Sequence, residues 1–561
     1  MTSDKKTAAL LADLFVKKGL QYIVISPGSR NAPLIIAFTN HPEITALSVV
    51  DERSAAFFAM GIAQSTGKTV AVACTSGSAP LNYAPAIAEA YYQKIPLLVL
   101  TADRPPSMID IGDGQAIRQE KVFANYVKSS KQLPLEIKGH GEYITVNKMI
   151  NESIDETFFP EPGPVHINIP FDEPLYQTVD TGMEGTLIDT RKILKQDYKW
   201  KERFKKLWLK SNKVMLLVGQ GFYSANVTSL LESLSRFPQV TILSETTSNL
   251  NSVSFIDCID NVLTVIKDED LKENSPELLI TFGNAVVSKK IKKFLRENPP
   301  ENHWHISPSG EYRDTYFALS KVVNLSIDDF LEKIQDIIIG VKSSYAEVWK
   351  NMKQKAVVRR DSFIETTQFS DLKVFKLLSD KIPSGTNLHL GNSTPVRYSQ
   401  LFGNKSGIKY FSNRGVSGID GSLSTASGFA YSDESLNLII TGDLSFFYDS
   451  NALMNQNLTP NFKIIVLNNS GGGIFRFIPG PDSTAAFEQY FEAKHSLKAN
   501  KLAEAYNINY FKAENEAELH DVFSKFISKM ERPALLEIIT PGEENGKILR
   551  GYFSFLKNAS H

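Results

Sequence analysis

The sequence is poor in cysteine and has neither a long hydrophobic run nor an excess of one charge. Only two of its 561 residues are cysteines, Cys74 and Cys258, which excludes a disulfide framework and a metal cluster built from cysteine. No apolar run reaches the ~18 residues of a membrane span, and no signal core follows residues 1–6. Lysine and arginine number 61 against 62 aspartates and glutamates, so no basic field favours nucleic acid or an anionic membrane. We therefore expect a cytoplasmic enzyme with no membrane span and no nucleic-acid partner.

What the chain does contain is a repeated strand-then-helix pattern. At about 150 residues per domain, its length suggests three or four domains. Strand-like apolar runs followed by helical patterns occur in the first, central and last parts of the chain. This alternation predicts an α/β protein with three doubly wound parallel-sheet blocks. The expected blocks are residues 1–176, 177–342 and 372–561, with a charged, helical connector at 343–371.

Two apolar runs of the last block end in polar loops. Residues 436–441 lead into Gly442-Asp443-Leu444-Ser445, and residues 463–467 lead into Asn468-Asn469-Ser470-Gly471. Buried parallel strands end at the same edge of a sheet, so we expect these loops to lie side by side. A carboxylate, a carboxamide and a backbone carbonyl near Gly471 are oxygen ligands for a hard divalent cation that holds a diphosphate. The alternative is a helix cap at Asp443 and a turn at Asn468-Asn469.

An acidic pair stands at the end of a strand in the first block. The apolar residues 46–50 run directly into Asp51 and Glu52, and an apolar helical pattern follows. A carboxylate at this place could be desolvated, which would raise its pKa and let it share a proton with a ligand nitrogen. The alternative is an acid that is simply favoured by the dipole at a helix N-terminus.

The order of these features resembles the thiamine-diphosphate decarboxylase and synthase superfamily. The resemblance implies that Glu52 protonates the aminopyrimidine ring of the cofactor, and that Ile419 holds the cofactor bent. The metal, Mg²⁺ or Mn²⁺, would be bound by Asp443, Asn469 and Gly471. The resemblance also implies a homodimer or homotetramer whose active sites lie between the first block of one subunit and the last block of another. Further cofactor contacts are implied for Gly77, Gly442, Leu444, Ser445, Ile474 and Phe475.

Five flanking motifs narrow the resemblance to one branch. They are Ser26-Pro27-Gly28-Ser29-Arg30-Asn31-Ala32-Pro33-Leu34, Thr75-Ser76-Gly77-Ser78-Ala79, Thr101-Ala102-Asp103-Arg104-Pro105, Ser412-Asn413-Arg414-Gly415-Val416-Ser417-Gly418-Ile419-Asp420-Gly421 and Asn469-Ser470-Gly471-Gly472-Gly473-Ile474-Phe475. They resemble the 2-succinyl-5-enolpyruvyl-6-hydroxy-3-cyclohexene-1-carboxylate synthase family of menaquinone biosynthesis. The resemblance covers the first and last blocks, while the central block matches mainly in its placement. It implies decarboxylation of 2-oxoglutarate and conjugate addition of the resulting carbanion to isochorismate.

Arginines at the ends of predicted strands suit these two substrates, which are both dianions. A planar guanidinium pairs with a carboxylate through two hydrogen bonds, and open α/β sheets bind ligands at strand ends. Any one of these arginines could instead be a solvated charge. The resemblance assigns isochorismate to Ser29, Arg30, Arg104, Gln115 and Lys289, with Lys290 as the alternative lysine and with Gly114 where the family usually has asparagine. It assigns 2-oxoglutarate to Ser393, Arg397 and Arg414, beside an apolar wall of Ile474, Phe475 and Ile478.

Two other functions remain open from the sequence. Another thiamine-diphosphate carboligase, similar to acetohydroxyacid synthase, would share the cofactor motifs but act on smaller substrates. It would have less need for the four arginines Arg30, Arg104, Arg397 and Arg414. A catalytically silent homologue would lack Glu52 or Asp443, and both are present. His303 and His305 flank Trp304 at strand spacing, but two histidines without a third ligand are more typical of a structural role than of a metal site.

Overall fold

Three parallel β-sheets, each flanked by helices, make up the protein. The computed structural model describes residues 1–191, 199–477 and 480–559. The sheets contain six, five and six strands in chain order, and a two-stranded antiparallel pair lies outside them. The predicted α/β fold class is therefore confirmed. None of the helices in the described residues combines the length and the apolar character of a membrane span.

The first block contains eight strands and six helices. The strands are β1 (Thr2–Ser3), β2 (Tyr22–Ile25), β3 (Thr45–Ser48), β4 (Val70–Cys74), β5 (Leu97–Asp103), β6 (Ser130–Gln132), β7 (Val165–Pro170) and β8 (Thr178–Val179). The helices are α1 (Lys6–Lys17), α2 (Ala32–Thr39), α3 (Glu52–Thr66), α4 (Ala79–Asn82), α5 (Ala84–Gln93) and α6 (His140–Glu156). The six-stranded sheet has the order β3-β2-β4-β5-β7-β6, while β1 pairs with β8.

The central block is a five-stranded sheet in the order β10-β9-β11-β12-β13. Its strands are β9 (Val214–Val218), β10 (Val240–Leu243), β11 (Leu278–Phe282), β12 (Asn302–Ile306) and β13 (Leu319–Val323). Its helices are α7 (Trp200–Lys210), α8 (Ala225–Leu234), α9 (Ile259–Val265), α10 (Lys289–Glu297) and α11 (Ile327–Ile334). His303 and His305 both bond the Thr281 hydroxyl, at 2.8 and 2.9 Å, so their ring nitrogens serve to pack neighbouring strands.

One long helix, α12 (Tyr345–Glu365), leads to the last block. The last sheet has the order β15-β14-β16-β17-β19-β18. Its strands are β14 (Asn387–Leu390), β15 (Lys409–Phe411), β16 (Asn437–Gly442), β17 (Phe462–Asn468), β18 (Asn509–Ala513) and β19 (Ala534–Ile539). The helices are α13 (Asp371–Lys381), α14 (Thr394–Phe402), α15 (Ser422–Tyr431), α16 (Asp443–Tyr448), α17 (Asn500–Ala505), α18 (Glu516–Ile527) and α19 (Gly542–Asn558).

The first and last sheets share one strand order. Counted within each six-stranded sheet, both run second, first, third, fourth, sixth, fifth. The helices that follow the second strand of each sheet, α3 and α15, pack against each other. A Cβ atom on Gly61 would overlap the backbone oxygen of Thr425, and one on Gly428 would overlap that of Phe58. The missing side chains therefore let the two helix backbones approach closely, which fixes the first block against the last.

Candidate functional site

The loops that follow β16 and β17 meet at Asp443. The strands are in register, with Gly442 opposite Leu467, so the first residue of α16 lies beside the end of β17. The Asp443 side chain is buried. Its Oδ1 accepts the Leu444 N–H at 2.6 Å, and its Oδ2 accepts the Gly471 N–H at 3.0 Å. The carboxylate thus ties the two loops together, as the order of the parallel strands predicts.

A second buried acid, Asp371, binds the side-chain amide of Asn469. Its Nδ2 donates to Oδ2 of Asp371 at 3.0 Å, and the Thr540 hydroxyl donates to Oδ1 of Asp371 at 2.6 Å. Burial raises the pKa of Asp371 to about 6, while the bonds from Thr540 and Asn469 act in the opposite direction. These contacts fix the orientation of the Asn469 amide. Its Oδ1 is buried and has no hydrogen-bond partner among the described residues.

This arrangement fits a hard divalent cation with a diphosphate. The Asp443 carboxylate and the partnerless Oδ1 of Asn469 are oxygen ligands of the kind Mg²⁺ and Mn²⁺ prefer. The loop backbone passes through left-handed conformations at Ser470, with a φ of 67°, and at Gly471, with a φ of 154°. Within the described parts of the chain, no group of three or more His, Cys, Asp or Glu residues could hold a metal. An ion here would therefore complete its coordination with ligand oxygens.

One histidine that the sequence did not single out lies at the same place. The Nε2 atom of His495 is buried and lies 3.4 Å from Oδ2 of Asp443. Its Nδ1 accepts the Leu497 N–H at 3.1 Å, which leaves Nε2 as the protonated nitrogen of a neutral ring. The ring therefore presents a donor toward the carboxylate.

Ile419 is brought to the beginning of α16. The Ser445 hydroxyl donates to the Ile419 carbonyl at 2.9 Å. Asn392, after β14, donates from Nδ2 to the carbonyls of Asn413 and Gly418, both at 2.7 Å. The half-buried Ile419 thus lies next to the Asp443-Leu444-Ser445 segment, although Ile419 and Asp443 are 24 positions apart in the chain.

Three cations, Arg397, Arg414 and Lys292, lie near the loop that Asn392 binds at Asn413 and Gly418. Arg397 donates to the Ser393 carbonyl at 2.6 Å, and Arg414 donates to Oδ1 of Asn392 at 2.7 Å. Burial lowers the pKa of Arg414, and the neighbouring Arg397 lowers it further. Burial also lowers the pKa of Lys292, as do Arg414 and Arg397, whereas Glu245 raises it. The Nε of Arg414 is buried with no partner among the described residues, so this cluster is suited to bind an anion.

A cavity of about 120 Å³ opens between the central and last blocks. The sequence had predicted three of its lining residues as substrate contacts: Arg397, Lys289 and the alternative lysine, Lys290. Lys289 is exposed, whereas Lys290 lies 3.6 Å above the Phe553 ring, and burial lowers the pKa of Lys290 to about 8. Lining residues that the sequence had not indicated include Asp260, Tyr398, Phe477, Leu549 and Phe553.

The other residues predicted for isochorismate gather in the first block. Arg30 donates to the Phe171 carbonyl at 3.0 Å and pairs with Glu173 at 3.2 Å. Arg104 donates to the Gly114 carbonyl at 2.9 Å. Gln115 has a left-handed backbone and lies against Gly77, where a Cβ atom would come within 3.2 Å of Gln115. Ser29 is exposed nearby in the chain, before the N-terminus of α2.

Glu52 is the first residue of α3 and is partly exposed. Its Oε2 accepts from Asn82 Nδ2 at 3.4 Å. Among the described residues, no hydrogen bond or ion pair joins it to Asp443 or Asn469. The expected desolvation of Glu52 stays a prediction, and in the single chain its side chain is partly exposed.

The predicted apolar wall is described only in part. Ile474 and Phe475 are half-buried in a 3₁₀ turn, Gly473–Arg476, and the Phe475 ring contacts Phe491 edge to face. Ile478 lies outside the described residues. Phe477 faces the cavity between the blocks.

Comparisons with known proteins agree with this layout. The family model for the thiamine pyrophosphate enzyme N-terminal TPP binding domain matches residues 5–125, and that for the C-terminal TPP binding domain matches residues 391–538. Three relatives are each named 2-succinyl-5-enolpyruvyl-6-hydroxy-3-cyclohexene-1-carboxylate synthase. The protein of Christiangramia forsetii is 44% identical, over 97% of this chain and 98% of its own length. The protein of Flavobacterium johnsoniae is 44% identical over 98% of both chains. The protein of Porphyromonas gingivalis is 40% identical, over 100% of this chain and 98% of its own length.

Proposed function

The chain belongs to the 2-succinyl-5-enolpyruvyl-6-hydroxy-3-cyclohexene-1-carboxylate synthase family of thiamine-diphosphate enzymes, and we propose that it joins 2-oxoglutarate to isochorismate with loss of carbon dioxide. This reaction is a step of menaquinone biosynthesis. The observation that carries the proposal is the cluster of Arg397, Arg414 and Lys292 around Asn392 and Ser393, where the Asn392 amide also binds the Gly418 carbonyl next to Ile419.

Thiamine diphosphate, when bound, supplies the carbon nucleophile and the electron sink for decarboxylation and carbon–carbon bond formation. Asp443, Oδ1 of Asn469 and a carbonyl at Gly471 would hold a Mg²⁺ or Mn²⁺ ion, whose charge would neutralise the diphosphate. Ile419, whose carbonyl binds the Ser445 hydroxyl, would give the cofactor an apolar support. Glu52 holds a proton at the aminopyrimidine ring, where a carboxyl group can donate and accept it.

The charged side chains divide between the two substrates. Arg397 and Arg414 bind the distal carboxylate of 2-oxoglutarate, because neither guanidinium forms an ion pair with a carboxylate among the described residues, and a bound anion would supply one. Ser29, Arg30, Arg104 and Gln115 bind isochorismate from the first block, and Lys289 binds it from the central block. Ile474 and Phe475 exclude water from the reacting carbon atoms.

The active site is completed by a second copy of the chain. Glu52 is partly exposed, and apolar side chains surround it: Val50 is 63% exposed, Leu81 49% and Tyr448 55%. Exposed apolar groups around a catalytic acid favour a surface that another subunit covers. We infer at least a dimer in which Glu52 of one subunit faces Asp443 of the other.

Mixing two inactive variants tests this shared site. Glu52→Gln and Asp443→Ala subunits should each be inactive alone. After random exchange they should recover about a quarter of wild-type activity, because half of the dimers are hybrids with one intact site of two. A mixture that exchanges subunits but stays inactive would place both residues in one chain's site.

The donor substrate separates this function from that of an acetohydroxyacid synthase-like carboligase. Pyruvate has no distal carboxylate, so it would leave the charges of Arg397 and Arg414 unpaired. We expect carbon dioxide release from 2-oxoglutarate to exceed that from pyruvate strongly. Equal use of pyruvate would favour the alternative enzyme.

A further inference from the structure

A buried carboxylate of the first block holds the loop between Arg414 and Ile419. Glu89 lies on α5 and is 1% exposed. Its Oε1 accepts the N–H of Gly415 at 2.6 Å. Its Oε2 accepts the N–H groups of Val416 at 2.7 Å and Ser417 at 3.3 Å. Three consecutive backbone donors of the last block thus bind one side chain of the first block.

The backbone of this loop is shaped for the contact. Ser417 has a left-handed φ of 65°, and successive N–H groups in such a turn form a concave site for an anion. A Cβ atom on Gly415 would lie 2.5 Å from the Glu89 carbonyl oxygen and 3.0 Å from its Oε1. Glycine at position 415 therefore allows the close approach of helix and loop.

The remaining attachments hold the two ends of the loop rather than its middle. Asn392 binds the carbonyls of Asn413 and Gly418, and Gln220 of the central block donates to the Ser412 carbonyl at 2.8 Å. In the described parts of the chain, the N–H groups of residues 415–417 donate only to Glu89. These part-buried N–H groups would then lose their one protein acceptor among the described residues, so loss of this carboxylate would release the middle of the loop.

We propose that Glu89 is a positioning residue that places Arg414, and through it the selectivity for 2-oxoglutarate, without touching substrate or cofactor. The inference rests on the proposed function. Burial and Arg397 lower the pKa of Arg414, and the charges of Glu245 and Glu89 act in the opposite direction. Glu89 therefore acts on Arg414 mainly by placing the loop that follows it.

Replacement of Glu89 by glutamine should weaken the hydrogen bonds to the loop, while the glutamine side chain still fills the space of the glutamate. An amide oxygen can still accept one or two of the N–H groups, but its NH₂ group would face a donor, and the negative charge is lost. We expect about a tenfold rise in KM for 2-oxoglutarate, as for the loss of one charge-assisted contact. Use of pyruvate should change little, because it has no distal carboxylate for Arg414.

The test compares kcat/KM for 2-oxoglutarate and pyruvate in wild type, Glu89→Gln, Glu89→Asp and Gln64→Ala. Gln64 is the matched control. Its Nε2 donates to Oε1 of Gln93 at 3.4 Å, and Gln93 in turn donates to Glu89, but Gln64 itself contacts neither Glu89 nor the loop by a hydrogen bond. Glu89→Gln should lower the 2-oxoglutarate to pyruvate ratio about tenfold. Glu89→Asp, which keeps the charge on a shorter side chain, should lower it less, and Gln64→Ala should keep the wild-type ratio.

The outcomes distinguish this inference from the proposed function. A wild-type enzyme without preference for 2-oxoglutarate would overturn the proposed function and the inference with it. A selective wild-type enzyme whose Glu89→Gln variant has a lower Tm but an unchanged ratio would overturn only the inference and leave Glu89 a purely structural residue. Should Glu89→Gln fail to fold, an unchanged ratio in Glu89→Asp would overturn it equally.

Discussion

The side-chain amide of Asn469 donates from Nδ2 to Oδ2 of Asp371 at 3.0 Å, and its Oδ1 is buried and has no partner in the part of the chain that the structure describes. The two residues are 98 positions apart. Groups that orient a metal ligand in this way typically govern metal affinity almost as strongly as the ligand itself. In the proposed metal and diphosphate site, Asp371 would therefore orient a ligand without contributing one.

Replacing Asp371 by alanine should weaken binding of thiamine diphosphate with Mg²⁺ by roughly 10- to 100-fold, because the Asn469 amide loses its fixed orientation. Calorimetric titration with the cofactor in the presence of Mg²⁺ measures this. Glu537→Gln is a matched control, since Glu537 is a buried carboxylate that binds Asn468 rather than Asn469, and it should keep wild-type affinity. Wild-type affinity in Asp371→Ala would refute the orienting role.

Glu52→Gln should keep the fold and much of the cofactor affinity but slow proton loss from the thiazolium carbon. The reason is that an amide cannot exchange a proton with the aminopyrimidine ring. Hydrogen–deuterium exchange at that carbon of the bound cofactor reports the step directly. An unchanged exchange rate would remove Glu52 from the mechanism.

Arg414→Ala should lose on the order of 1.5–3 kcal/mol of interaction with 2-oxoglutarate, or roughly tenfold to a hundredfold in kcat/KM. Arg30→Ala or Arg104→Ala should instead raise the isochorismate requirement and leave carbon dioxide release comparatively intact. Steady-state kinetics with each substrate varied in turn separates the two groups. The assignment would be wrong if all three variants affected both substrates alike.

A buried acid at the junction of the first and last blocks makes stability depend on pH. Burial raises the pKa of Asp449 from 3.8 to about 7, against bonds from Ser424 and the charge of Arg53, while Asp420 raises it further. The folded state therefore favours the protonated acid. Its contribution to stability is complete below about pH 4 and is lost as the pH rises through about 7, at about 1.4 kcal/mol per pKa unit.

Asp449→Asn should remove this dependence, because asparagine carries no charge at either pH. Relative to wild type, the Tm of the variant should rise between pH 5 and pH 8. The hydrogen bonds of Ser424 to Asp449, both at 2.8 Å, are disturbed equally at the two pH values, so the difference isolates the charge. A Tm difference that is constant with pH would contradict the raised pKa.

The sequence predicted the strands that carry the candidate site, because strands buried on both faces are continuously apolar. Residues 436–441 and 463–467 correspond closely to β16 and β17, and their polar loops meet as the parallel order requires. The residue roles within those loops stay predictions. The sequence could not reveal Asp371 or Glu89, since each resembles an ordinary acid on a helix and gains its partner only through long-range packing.

The surroundings of Glu52 show a second reason why the site could not be predicted fully from the sequence. A strand end beside an apolar helix predicted a desolvated acid, yet the single chain leaves Glu52 partly exposed. The residues that would cover it belong, in the proposed assembly, to another copy of the chain. Similarly, the helical pattern of α19 indicates an apolar face but not that Phe553 reaches the cavity beside Lys290.

Mass spectrometry of the product tests the central claim most directly. The enzyme, with thiamine diphosphate and Mg²⁺, is given 2-oxoglutarate with and without isochorismate. The proposed function predicts a product with the mass of 2-succinyl-5-enolpyruvyl-6-hydroxy-3-cyclohexene-1-carboxylate only when both substrates are present. A carboligation product that forms without isochorismate, or from pyruvate as readily as from 2-oxoglutarate, would contradict it.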